Sequence, residues 1–176
     1  MARCFVALTL DEASLRAVHA AQRKLLVPGL RETHAEDFHV TLVFLGDVDE
    51  ETVAKPVFEA ARLGLVTLPK LGQARVSGFP SAERAHVAVL ILDDVDGAVG
   101  AIAERAIAEA RRLGVHVEDR PFKAHVTLGR SKQAIDLRPH AREVELGEGT
   151  DIVLFRSERQ PDGRHYVPVH YPDQAT

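Results

Sequence analysis

Residues 38–44 read Phe-His-Val-Thr-Leu-Val-Phe, and this stretch decides the fold. The apolar residues at 38, 40, 42 and 44 alternate with His39, Thr41 and Val43, and such a period of two is typical of a β-strand. On such a strand the apolar set, Phe44 included, is expected to face the core, while His39 and Thr41 project from the opposite face. Gly46 is expected to end the strand.

The tetrapeptide His-Val-Thr-Leu occurs twice, at residues 39–42 and again at residues 125–128. The second copy lies in a predicted strand over residues 122–130, where apolar and other residues again alternate. In each copy the histidine and the threonine are two residues apart, so both project from one face of the strand. A duplication that preserved only packing would need the Val and the Leu, but it gives no reason for an exposed His and Thr. Two such strands side by side predict one cleft with two imidazoles and two hydroxyls.

Two imidazoles and two hydroxyls in one cleft suit the cleavage of a phosphate ester without a metal. One imidazole takes a proton from water while the other donates a proton to the leaving oxygen. An unperturbed pKa of about 6.5 lets both protonation states coexist near neutral pH, so His39 and His125 are the candidate catalytic residues. The hydroxyls of Thr41 and Thr127 can donate hydrogen bonds to phosphate oxygens. The remaining histidines share no spacing typical of a metal site, and we expect neither a metal nor a cofactor.

The composition is that of one soluble globular domain. The chain has 176 residues, of which 45% are hydrophobic and 27% charged, and it shows no signal peptide or membrane-spanning run. The single cysteine, Cys4, cannot form a disulfide within the chain, which favours the reducing cytoplasm. No linker rich in Pro, Gly or Ser divides the sequence, so residues 1–176 are predicted to form a single domain of two intertwined lobes.

The charge distribution favours a local basic cleft over a uniformly basic surface. A formal net charge of -4 argues against a coat for nucleic acid, yet residues 120–142 carry six Arg or Lys against one Asp. Arg130 follows the second His-Thr strand, and its guanidinium can hold a phosphate with two donors, so we predict that it binds substrate. For Lys132, Arg138 and Arg142 a solvated loop is an equally good interpretation.

The rest of the sequence predicts a mixture of strands and helices, which indicates an α+β fold. Helices are expected from Asp11 to the break at Pro28, over residues 49–63 with a kink or delayed start at Pro56, and from Val95 to a stop at Gly114. Besides the two His-Thr strands, strands are expected over residues 2–10, 65–68, 74–79, 86–92, 115–119, 141–146, 150–157 and 165–170.

These features make the chain resemble the 2H phosphoesterases, and within them the RNA 2′,3′-cyclic phosphodiesterases, also called 2′-5′ RNA ligases. The paired His-x-Thr motifs carry the resemblance to the superfamily. The segments 4–8, 38–46, 120–130 and 154–158 carry the resemblance to the RNA-acting group. It implies a bilobal α+β fold with pseudo-twofold symmetry, an antiparallel sheet in each lobe, helices on the outer faces and a central cleft.

The resemblance also implies a role in RNA processing. The substrate would be an RNA 3′ end that carries a 2′,3′-cyclic phosphate, such as a tRNA fragment, and the product would carry a 2′-phosphate. By likeness, His39 is the acid for the 3′ oxygen, His125 is the base for water, and Thr41 and Thr127 hold phosphate oxygens. With a 5′-hydroxyl in place of water, the reverse reaction would join RNA ends through a 2′-5′ linkage as a side activity. We expect a monomer that needs no membrane.

Two other functions remain open from the sequence. The same chemistry could act on a small nucleotide such as a cyclic phosphate of ADP-ribose, or the chain could bind RNA ends without turnover. The matched histidines argue against a pure binding module, because binding alone needs no acid and no base. Phe44 could stack on a base, but its phase in the strand favours a core position. The same question applies to Tyr166.

Overall fold

The computed structural model describes residues 1–169, which contain eight strands and three α-helices. All strand pairs are antiparallel, and the predicted α+β fold is confirmed. The strands are β1 (Ala2–Leu10), β2 (Arg31–Glu32), β3 (Val40–Val48), β4 (Lys70–Phe79), β5 (Ala85–Leu92), β6 (His125–Ile135), β7 (Glu143–Gln160) and β8 (Gly163–Pro168). The helices are α1 (Glu12–Arg23), α2 (Lys55–Arg62) and α3 (Ala98–Arg112).

The strands form two antiparallel groups that meet on either side of a cleft. In the first group, β1 lies between β3 and the second half of β7, and β8 extends β7. In the second group, the first half of β7 pairs with β4, followed by β5, β6 and the short β2. The 18-residue strand β7 therefore belongs to both groups. The two groups also meet at β3 and β6, which pair only at Val40 and Val126, and the cleft opens at this point.

The helices pack against the strand groups and leave the cleft open. Helix α1 packs on β7, whereas α2 and α3 pack on each other and α3 also contacts β3. The Asp11 carboxylate begins α1 by accepting a hydrogen bond from the Ser14 amide at 2.9 Å. A π-helical turn over Glu50–Ala54 precedes α2, and Pro56 lies in the first turn of α2, which confirms the predicted delayed start. Within residues 1–169 no helix is both long and apolar enough to span a membrane.

Two predicted strands, 65–68 and 115–119, are irregular in the structure. Each is a short apolar run that follows a glycine with positive φ, Gly64 or Gly114. Four of their apolar side chains pack against the core without strand pairing, because burial alone does not require it: Leu65, Leu68, Val115 and Val117. The fifth, Val66, is 96% exposed. The predicted strand 165–170 is β8, and residue 170 lies outside the described residues.

The strands predicted separately over 141–146 and 150–157 are one strand, β7. The glycines between them permit close packing rather than a turn. A Cβ on Gly147 would collide with the carboxylate of Asp11, and a Cβ on Gly149 would lie 2.7 Å from a methyl carbon of Leu8. Both positions lack a side chain because β1 and the start of α1 press against β7 there.

Three predicted boundaries also differ. Strand β6 begins at His125 rather than at residue 122, and β3 runs from Val40 through Gly46 to Val48. Helix α3 begins at Ala98, so Val95, predicted to lie on its apolar stripe, precedes it and is 94% exposed. The helix starts late because the Asp94 carboxylate accepts hydrogen bonds from amides of its first turn.

Candidate active site

All five residues that the sequence singles out line one cleft between β3 and β6. The cleft has a volume of about 170 Å³. The five residues are His39, Thr41, His125, Thr127 and Arg130. Two stretches far apart in sequence therefore deliver their polar side chains to one opening.

The register of the single β3–β6 pairing explains this convergence. Val40 and Val126 are antiparallel partners, and both are fully buried. In an antiparallel pair the residue before one partner faces the residue after the other. His39 is therefore across from Thr127, and by the same rule the second histidine is across from Thr41. The two His-x-Thr copies are placed as a twofold-related pair around one bridge.

Both imidazoles are oriented by a backbone carbonyl two residues earlier in the chain. His125 Nδ1 lies 2.7 Å from the Lys123 carbonyl oxygen, and because a carbonyl only accepts, Nδ1 carries the proton. His39 likewise donates to the backbone of Asp37, and its Nε2 lies 3.0 Å from Thr41 Oγ1. In the neutral imidazoles Nε2 is thus the unprotonated nitrogen, and the Thr41 hydroxyl donates to it on the β3 side.

His39 is packed among aromatic rings. Its ring stacks on Phe5 with the centroids 5.1 Å apart, and Tyr166 meets it edge-on at 5.9 Å. Phe155 lies at 6.0 Å and also stacks on Phe5. Burial in this apolar setting, with a smaller contribution from the nearby His125, lowers the pKa of His39 from 6.5 to about 4.

The second imidazole, that of His125, also contacts an aromatic ring. The Phe79 ring meets His125 edge-on, with the centroids 4.9 Å apart. Burial lowers the pKa of His125, and the positive charge of Arg130 adds to this effect. Both histidines are therefore neutral at pH 7 in the free protein. The unperturbed pKa that the sequence suggests for each histidine is therefore too high.

Phe44 lines the cleft and is 65% exposed, so its predicted core position is wrong. The reason is a pair of irregularities in the β1–β3 ladder. Ala7 pairs with Thr41 but Val6 pairs with Val43, and a second shift follows between Phe44 and Gly46. Each irregularity inserts one residue and reverses the side-chain phase. The result buries Val43 and turns Phe44 toward the cleft.

Tyr166, whose position the sequence left open, also lines the cleft. Other residues that line it were not found by sequence reasoning: Phe5, Thr33, Asp37, Phe79 and Val87. Phe5 is the cross-strand partner of Phe44, so it could have been placed only once the β1–β3 register was known. Burial raises the pKa of Asp37, and the adjacent charge of Glu36 raises it further. Tyr166 reaches the cleft from β8 and is 36% exposed.

The basic segment 120–142 is less free than its composition suggests. Arg120 pairs with Glu118, and Arg138 pairs with Asp136 at 2.8 Å. Of the six basic side chains, Arg130 is the one that lines the cleft. Within residues 1–169, no three His, Cys, Asp or Glu side chains come together in a way that could hold a metal ion.

Comparisons with known sequences agree with this geometry. A profile of the family described as LigT like Phosphoesterase matches residues 9–89. An RNA 2′,3′-cyclic phosphodiesterase of Archaeoglobus fulgidus is 31% identical over 134 residues, which cover 74% of this chain and 73% of that protein. A Thermus thermophilus protein of the same name is 30% identical over 178 residues, which cover 94% of this chain and 86% of that protein.

Comparison with solved structures gives the same fold. The crystal structure of E. coli LigT complexed with 3′-AMP has a TM-score of 0.75 and 23% identity, covering 96% of this chain and 95% of that chain. A Thermus thermophilus crystal structure has a TM-score of 0.73 and 27% identity over similar shares of both chains, 96% and 95%. The resemblance and the fold that it implies are confirmed. The chain therefore belongs to the LigT-like phosphoesterases of the 2H phosphoesterase superfamily.

Proposed function

We propose that this protein opens the 2′,3′-cyclic phosphate at RNA 3′ ends and leaves a 2′-phosphate. The observation that carries the proposal is the pair of His-x-Thr strands, which face one cleft around the Val40–Val126 bridge. The relatives named RNA 2′,3′-cyclic phosphodiesterase support the same substrate.

In the proposed reaction, His125 Nε2 takes a proton from water as the water oxygen bonds to phosphorus. The bond from phosphorus to the 3′ oxygen breaks, and protonated His39 donates its Nε2 proton to that oxygen. The products are a free 3′-hydroxyl and a 2′-phosphate, so atoms and protons balance with no metal or cofactor. The division of roles between the two histidines follows the family likeness.

The other predicted residues are proposed to bind the substrate. The Thr41 and Thr127 hydroxyls would donate hydrogen bonds to the non-bridging oxygens of the cyclic phosphate, and Arg130 would bind a phosphate of the RNA through its paired donors. Thr41 already donates to His39, so a bound phosphate would compete for its proton. The reverse reaction, which forms a 2′-5′ linkage, would need a 5′-hydroxyl in the position of the attacking water.

The test is hydrolysis of an oligonucleotide that ends in a 2′,3′-cyclic phosphate, in the presence of EDTA. We expect opening to a 2′-phosphate, with a loss of at least a hundredfold in kcat for His39→Ala and for His125→Ala. His19→Ala is the matched control, because His19 is exposed on α1. An intact ring, or unchanged turnover in both cleft variants, would refute the proposal. Tight binding without product would instead support an RNA-end binding module.

We further propose that residues 1–176 form one domain that works as a monomer in the cytoplasm. The shared strand β7 supports a single domain, because neither strand group is complete without it. The buried free thiol of Cys4 is compatible with a reducing compartment. Sedimentation at enzyme concentrations used in the assay tests the monomer.

A further inference from the structure

Two arginines stand side by side at one edge of the cleft. Arg31 on β2 and Arg130 on β6 are direct cross-strand partners. Residues directly opposite each other in an antiparallel pair emerge on the same face, so Arg31 shares the face on which Arg130 lines the cleft. Thr33, two residues after Arg31, also lines the cleft, as the period of two along an extended chain requires.

Neither arginine of this pair has an ion-pair partner in the part of the chain that the structure describes. Both arginines are exposed, and neither donates a hydrogen bond to, or forms an ion pair with, a residue in the range 1–169. Like charges directly opposite each other destabilise a sheet. An anion held between the two guanidinium groups would turn this repulsion into attraction.

The short strand that carries Arg31 is fixed in place despite its two residues. The Thr33 amide donates to the Leu128 carbonyl at 2.9 Å. The Gln22 side-chain amide, only 2% exposed, donates to the carbonyls of both Thr33 and Leu128. Gly129 adds a close approach, because a Cβ there would lie 2.8 Å from the Arg31 carbonyl oxygen. The backbone around Arg31 is therefore positioned by the Thr33 hydrogen bond, the Gln22 hydrogen bonds and the close packing against Gly129.

We propose that Arg31 and Arg130 form a second phosphate site, which binds the phosphodiester on the 5′ side of the terminal nucleotide. This inference rests on the proposed function, in which the cyclic phosphate occupies the space between the two histidines. Guanidinium groups bind phosphate oxygens through paired donors, and two of them beside the cleft suit one internucleotide phosphate. The site would favour the end of an RNA chain over a free nucleoside cyclic phosphate, which lacks that phosphodiester.

The test compares two substrates, adenosine 2′,3′-cyclic phosphate and a short oligonucleotide with the same cyclic end. For Arg31→Ala, kcat/KM on the oligonucleotide should fall about tenfold, mainly through KM, with less than a twofold change on the nucleoside. Arg31→Lys should recover part of the loss, because it keeps the charge but not the paired donors. Arg23→Ala, an exposed arginine at the end of α1, is the control and should behave as wild type.

Salt dependence gives a second readout. The slope of log kcat/KM against log salt for the oligonucleotide should become shallower by about one in Arg31→Ala. Equal losses on both substrates, or no loss on either, would overturn the second phosphate site. If wild-type protein opens neither substrate, the proposed function itself fails, so the two failures are distinguishable.

Discussion

Protonation of His39 should cost the folded protein stability as the pH falls. Its pKa is lowered from 6.5 to about 4 by burial against Phe5, Tyr166 and Phe155. Between these two values the unfolded chain binds a proton that the folded protein does not, so the free energy of unfolding falls as the pH falls. The full effect is about 3 kcal/mol, and about 2 kcal/mol of it should be lost between pH 7.5 and pH 5.

The assay is urea unfolding of wild-type protein and of His39→Asn at both pH values. Asparagine keeps a side-chain donor for the Asp37 carbonyl but does not titrate in this range. The stability of wild type relative to the variant should therefore fall by about 2 kcal/mol on going from pH 7.5 to pH 5. For a chain of this size the same difference amounts to about 4–8 °C in Tm. His19→Asn, on the exposed face of α1, is the control for the loss of a histidine outside the cleft.

The pKa of His39 can also be measured directly. An NMR titration of the His39 ring protons should show a midpoint well below 6. A midpoint near 6.5 would mean that the aromatic packing does not desolvate the ring. The same conclusion would follow if the difference between wild type and His39→Asn did not change with pH.

The remaining predictions concern the cleft and its support. Because both histidines have lowered pKa values, kcat/KM should be greatest below pH 6.5 and fall about tenfold per pH unit at higher pH. A flat profile from pH 6 to 8 would contradict the acid–base pair. Phe44→Ala should raise KM for the oligonucleotide by roughly 5- to 150-fold with little loss of stability, because stacking on a base is worth about 1–3 kcal/mol. Phe44→Tyr should stay near wild type. Gln22→Leu should cost about 1–3 kcal/mol in urea unfolding, because it leaves the Thr33 carbonyl without this donor and the Leu128 carbonyl with the Thr33 amide alone. An unchanged midpoint would show that water replaces the side-chain amide.

The sequence predicts the site better than it predicts the ladder around it. In each His-Val-Thr-Leu copy, the alternation of side chains along the strand is enough to predict that the His and the Thr share one face. Their meeting in one cleft was a hypothesis from the repeat, and the Val40–Val126 bridge supplies the geometry that it needed. The strand β1 was also predicted with its observed bounds, because its run is dense in apolar residues and ends at an acidic cluster.

What the sequence could not supply depends on neighbours in space. The phase of Phe44 is set by irregularities in its pairing with β1, and no pattern within residues 38–44 encodes them. The unbroken strand β7 depends on how closely Asp11 and Leu8 approach two glycines, which look like turn residues when read alone. Arg31 lies outside every motif, and only its register with Arg130 brings it to the cleft.

In the proposed reaction, the lowered pKa of His39 would make substrate binding the event that creates the acid. A neutral His39 cannot donate a proton to the leaving oxygen, and with a pKa of about 4 it is almost entirely neutral at pH 7. An anion about 4 Å from a charged imidazole is worth about 4 kcal/mol at an effective dielectric constant of about 20. That energy corresponds to about 3 pKa units, which would return the pKa of His39 to near 7. The optimum of kcat should therefore lie at higher pH than that of kcat/KM, and coincident optima would mean that the phosphate does not sit beside this imidazole.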